Sequence, residues 1–195
     1  MIEKTLIKFI PGCGGDFVAN LLNGNFPLEH DENNRYRYPP IEYPITALTM
    51  PDNPYPWDKD KHAEDIKDMT CWDEPTLTTH YLNNPLIARL YKAGVRNVIN
   101  IYDTSEEVRL LFWHKVFGDR SFEESNRVFN KIIDAVKAHE VNIAGYMNRA
   151  FHVENHTYKS VLNRLSERWS TEVYEYKTLN DRIVSERRAL LSPDY

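Results

Sequence analysis

The sequence predicts an α/β domain spanning residues 1–195, with helices on both sides of a short parallel sheet and an enlarged helical part in its C-terminal half. Three observations carry this expectation. An apolar run, Leu6, Ile7, Phe9 and Ile10, breaks into Pro11-Gly12-Cys13-Gly14-Gly15-Asp16 and resumes as Phe17-Val18-Ala19-Asn20-Leu21-Leu22, the pattern of strand, glycine turn and helix. Two later β-prone runs each lead into a helical pattern, the alternation that builds parallel sheets. Beyond Thr104, most apolar residues recur at helical spacing.

In chain order, the first change of character after the opening helix is Phe26 to Lys61, rich in Pro, Tyr, Asn and Asp, where no helix or strand period survives. Ordered loops of that length usually cover something, and tyrosines tucked onto the core would also account for it. A short helix is expected near His62 to Met69. Thr76-Leu77-Thr78-Thr79-His80-Tyr81 reads as a second strand, ended by Asn83-Asn84-Pro85. Leu86, Ile87, Leu90 and Tyr91 then recur at helical spacing up to Gly94, and Val98, Ile99 and Ile101 mark a third strand over Asn97 to Tyr102.

Thr104 or Ser105 caps the next helix, which carries Glu106 and Glu107 in its first turn and runs to Phe117. Ser121 starts another, with Phe122, Val128, Phe129, Ile132, Ile133 and Val136 on one face, continuing towards Met147. Phe151, His152 and Val153 suggest a short fourth strand, followed by helices over Tyr158 to Trp169 and Glu172 to Leu191. No repeat or low-complexity tract interrupts the pattern.

Composition narrows the function classes. A net charge of −5 with both signs interspersed lacks the basic stripe of a nucleic-acid binder. The two cysteines, Cys13 and Cys71, supply neither a disulfide framework nor a zinc spacing, so a reducing, cytoplasmic setting is the default expectation. No apolar segment approaches bilayer length, which leaves no membrane partner to expect.

The chemistry concentrates in the glycine turn. Backbone N–H groups from Gly12, Cys13, Gly14, Gly15, Asp16 and Phe17, beside the positive end of a helix dipole, suit a phosphate or sulfate. The turn lacks the Gly-Lys-Ser/Thr ending of an NTPase phosphate loop, and Phe17 stands where a dinucleotide fingerprint needs its third glycine. A plain strand-to-helix turn, with glycines supplying only positive φ, accounts for the same residues. A nucleophilic role for Cys13 is disfavoured, because no arginine follows at phosphatase spacing and Asp16 opposes a thiolate.

Three segments resemble the sulfotransferases, a P-loop-like α/β family that uses 3′-phosphoadenosine 5′-phosphosulfate. Pro11-Gly12-Cys13-Gly14-Gly15-Asp16-Phe17 is similar to that family's Pro-Lys-Ser-Gly-Thr-Thr-Trp loop, and Thr78-Thr79-His80-Tyr81-Leu82 to its Lys-Thr-His strand end. Val98 to His114 follows the family's third strand and helix in outline, through Ile99, Ile101, Glu107, Val108, Phe112, Trp113 and His114. The resemblance implies a P-loop-type three-layer fold, a nucleotide cofactor at the Gly12 to Phe17 loop and transfer to a small-molecule or glycan hydroxyl. It makes Gly14 the loop glycine and His80 the base that takes the acceptor's proton.

Four positions depart from the pattern. Gly12 and Thr78 replace lysines, Asp103 replaces the arginine that grips the 3′-phosphate, and Leu111 replaces a helix serine. Arg35, Arg37, Arg109 and Lys115 are the candidates for supplying charge from other directions. Two alternatives therefore stand beside the transferase: a non-catalytic binding module on the same scaffold, in which His80 is structural, and a small-molecule kinase.

Overall fold

The structure, a computed structural model, describes residues 4–24, 29–30, 36–37, 76–80, 82 and 84–191. The helix expected at 62–69, Tyr81 and Cys71 lie outside these residues, as does most of the Pro- and Tyr-rich stretch. Within that stretch two short strands, β2 (Glu29–His30) and β3 (Tyr36–Arg37), pair antiparallel. The sequence reading placed no strand there, because two residues per strand are too few to display a period.

The main sheet has four strands, all parallel: β1 (Lys4–Phe9), β4 (Thr76–Thr79), β5 (Val95–Ile101) and β6 (His152–His156), in the order β4-β1-β5-β6. The first strand in the chain is thus one of the two interior strands. Its alternation assigns one face to each of two cores, with Ile7 and Phe9 in the larger and Leu6 in the smaller. Helix α1 (Gly15–Asn23) buries Phe17, Val18 and Leu21 in the larger core, which also holds residues of α3 (Glu106–Phe117), α5 (Tyr158–Ser166) and α6 (Ser170–Ala189). Helix α2 (Asn84–Lys92) sends Ile87 and Leu90 into the smaller one. This is an α/β sheet covered on both faces.

Helix α4 (Phe122–Ala150) runs three residues past the expected Met147 and serves both cores. Phe129, Ile132, Ile133 and Val136 belong to the larger core, and Ile143 and Met147 to the smaller. One long helix therefore ties the two sides of the sheet together. The caps follow the sequence closely. Ser105 accepts a hydrogen bond from Val108 N, Ser121 from Glu124 N, and Thr157 forms a reciprocal pair with Ser160. The segment expected as one helix to Trp169 ends instead at Ser166, and Trp169 becomes the residue before α6.

Candidate functional site

Ligands of parallel sheets gather beyond the carboxyl ends of the strands, and here those ends bring the sequence-marked residues together. The turn after β1, His80 after β4 and Tyr102 to Ser105 after β5 follow three adjacent strands. His80 is fastened to the base of the turn: its Nδ1 lies 2.8 Å from the carbonyl oxygen of Phe9, and its ring meets the Phe9 ring edge-on at 4.3 Å. A carbonyl only accepts, so Nδ1 carries the proton of this bond.

The turn is shaped by close packing. Gly12 and Gly14 have φ of 97° and 68°, values that favour glycine. A side chain is also excluded by neighbours: a Cβ on Gly12 would stand 2.7 Å from the Val108 carbonyl oxygen, one on Gly14 would stand 2.4 Å from Tyr176 Oη, and one on Gly15 would stand 2.1 Å from the Phe9 ring. Tyr176 stacks on Phe17 with ring centres 3.7 Å apart and planes 5° from parallel. It closes one side of the turn.

The main-chain amides divide into two sets. Cys13 N donates to the Ile10 carbonyl at 3.0 Å, so this amide is turned inward and is withdrawn from the expected cradle. Val18 N already donates to Gly14 O within the helix. The amides of Gly15, Asp16 and Phe17, with that of Gly14 at the N-cap, meet no acceptor among the described residues, as the first turn of a helix requires when no side chain caps it. They form the anion-attracting end of α1.

Charge around the turn is mixed. Burial pushes the Asp16 carboxyl up to about 6, with Lys115 acting in the opposite direction. Burial, and then the Asp103 carboxylate, push the Cys13 thiol up to about 12. Cys13 is therefore a neutral thiol at physiological pH, directed at the Asp103 carbonyl 3.7 Å away. Lys115 of α3 supplies a cation on the Tyr176 side, its Nζ donating to Tyr176 Oη at 3.4 Å. This cation comes from a helix and not from the turn itself.

Asp103, where the resemblance would place an arginine, has a structural task. Its carboxylate accepts from Ser105 N at 2.8 Å and from Tyr158 N at 3.1 Å, joining the end of β5 to the starts of α3 and α5. Leu111 is fully buried in the larger core. Among the other departures, Thr78 is also fully buried, and its hydroxyl has no partner among the described residues.

A second polar feature escaped the sequence reading. Thr79, Lys8, Asn100 and Asn155 occupy matching register positions across all four strands. Lys8, only 3% exposed, donates to Asn100 Oδ1 at 3.2 Å and forms an ion pair with Glu140 of α4, while Asn100 Nδ2 donates to Asn155 Oδ1 at 2.9 Å. Within an apolar run a single lysine reads as a solvated position, and only the interruption of the Leu6-Ile7, Phe9-Ile10 pattern by Lys8 hinted otherwise. Among the described residues, no group of three His, Cys, Asp or Glu side chains is arranged to hold a metal ion, and no helix is long and apolar enough to cross a membrane.

Comparison with protein-family models, with curated proteins and with solved structures finds no match to this chain.

Proposed function

We propose that this chain is a sulfotransferase-like group-transfer protein, taking the sulfuryl donor 3′-phosphoadenosine 5′-phosphosulfate at the turn after β1 and passing the group to an acceptor hydroxyl. The observation that supports the reading is the bond from His80 to the last carbonyl of β1, which holds an imidazole beside the turn where the anion would sit. The donor set for the anion is the amides of Gly14, Gly15, Asp16 and Phe17, not that of Cys13. Oriented amides of this kind stabilise the charge that grows on equatorial and leaving oxygens as the group transfers. Lys115 adds a positive charge on the Tyr176 side.

In this reading His80 Nε2 removes the acceptor's proton as the oxygen attacks sulfur, and the bond to the bisphosphate leaving group breaks. General-base help of this kind is worth roughly 10² to 10⁴ in rate. His80→Asn tests it, because an asparagine amide can still donate to the Phe9 carbonyl but cannot act as a base. Transfer of labelled sulfuryl groups to a panel of hydroxyl acceptors is expected to fall by at least about a hundredfold, with donor binding retained. Equal loss of transfer and binding would instead make His80 a structural residue.

A binding module without transfer chemistry is the second reading. Asp103 favours it, since a carboxylate committed to two backbone amides stands at the end of β5, where the resemblance would place the arginine for the 3′-phosphate.

A further inference from the structure

Arg109 stands in the first turn of α3, half-buried, with its guanidinium plane 4.8 Å from the Phe129 ring centre. Its Nε donates to the Thr104 carbonyl at 3.1 Å. Its Nη1 donates to the side-chain oxygens of both Asn126 and Asn130, the latter at 2.8 Å. These asparagines lie one turn apart on α4.

The arrangement has a chemical consequence. Both amide oxygens accept from the guanidinium, and the NH₂ group of each asparagine meets no acceptor among the described residues, so each keeps two N–H donors to offer. Nη2 of Arg109 likewise meets no acceptor among the described residues. An arginine needed only to join two helices is most simply held by a carboxylate, which would cancel its charge. Here the partners are neutral, and Arg109 has no ion pair among the described residues. The nearest acidic groups of α3 are engaged elsewhere, Glu106 with Arg188 at 2.8 Å and Glu107 with Lys159 at 3.0 Å. Along α4, Glu123, Glu124 and Asp134 are the acidic residues within about one turn of the asparagines; Glu124 pairs with Arg120 at 2.6 Å, and Arg127 and Lys131 are interspersed.

We propose that Arg109, Asn126 and Asn130 form a binding site for a phosphomonoester dianion, separate from the turn after β1 and reached over the exposed side of Asn130. A guanidinium flanked by two NH₂ groups offers donors only, the complement of an oxyanion with no proton to give. The site goes beyond the transferase reading and does not depend on it.

The test is a titration of the full chain with inorganic phosphate and with phenyl phosphate, followed by NMR of side-chain and backbone N–H signals. The NH₂ signals of Asn126 and Asn130 and the Nε–H of Arg109 are expected to move together and to saturate. In the variant Asn126→Asp/Asn130→Asp, new carboxylates pair with Arg109, so the fold is kept while donors become acceptors. Phosphate affinity at this site is expected to drop at least about tenfold with the unfolding midpoint unchanged or raised. Unmoved side-chain signals in the wild type, or equal affinity in the variant, would overturn the proposal. The amide signals of Gly14 and Gly15 report the turn independently, so failure at one site is not confused with failure at the other.

Discussion

The two faces of the sheet are built on different principles. On the face that carries the glycine turn, order comes from shape: Phe9, Phe17 and Tyr176 close around Gly14 and Gly15 so tightly that a single methyl has no room. On the opposite face, the end of the sheet nearest the candidate site is held by charge and amides, with buried Lys8 bridging Glu140 and Asn100 above a small apolar cluster. Close packing fixes a backbone path and tolerates little change. A buried ion pair is weak support for stability, and its position at the carboxyl edge is what gives it interest.

The largest expected effect lies on the packed face. Tyr176→Ala removes the ring stacked on Phe17 and is expected to cost about 3 to 5 kcal/mol in urea unfolding, whereas Tyr176→Phe keeps the stack and costs much less. Gly15→Ala follows at about 3 kcal/mol, because its methyl would stand 2.1 Å from the Phe9 ring. A small effect from either would mean that shape does not govern this face.

On the charged face, Glu140→Gln strands a buried ammonium and is expected to cost about 3 kcal/mol. The double change Lys8→Met/Glu140→Gln removes the stranded charge and should recover most of that loss. If the double variant is as unstable as the single one, the pair is not an isolated electrostatic unit and the contrast between the faces fails.

Asp16 sharpens the comparison through pH. Its carboxyl is raised from 3.8 to about 6 by burial, so the folded chain favours the protonated form. The unfolded chain loses that proton first as pH rises. Stability conferred by neutral Asp16 is therefore complete below 3.8 and is lost as pH climbs from there through about 6. Asp16→Asn is expected to raise stability at neutral pH by about 1 to 2 kcal/mol, allowing for partial exposure, and by nothing at pH below the lower limit. Sulfate binding should tighten in the same variant, because a negative charge is removed from a residue of the turn.

The smallest effect belongs to the surface. Lys177→Ala breaks an exposed pair with Asp181, one turn away on α6, and is expected to change the unfolding free energy by about 0.3 to 0.5 kcal/mol.

Much of the scaffold was legible because its signals are local. The alternation around Ile7 and Phe9, the break at Gly12 to Gly15, the cap at Ser105 and the helical stripe from Phe129 to Val136 each depend on residues close in sequence. The turn, His80 and the end of β5 follow three adjacent strands of the sheet. What was hidden depends on partners far away. Nothing near Lys8 announces Glu140, nothing near Phe17 announces Tyr176, and Asn126 and Asn130 look like solvent-facing positions until Arg109 is placed beside them. The inward turn of the Cys13 amide is equally invisible, since the same glycines serve a cradle or a tight turn.

Thermal unfolding of the wild-type chain with adenosine 3′,5′-bisphosphate, its 5′-phosphosulfate form, ATP and sulfate tests the transferase reading most directly. The account predicts that the two bisphosphate-derived nucleotides raise the midpoint, by the equivalent of about 2.7 kcal/mol at a hundredfold excess over Kd, and that ATP does so less. A midpoint that none of the four ligands moves would contradict it.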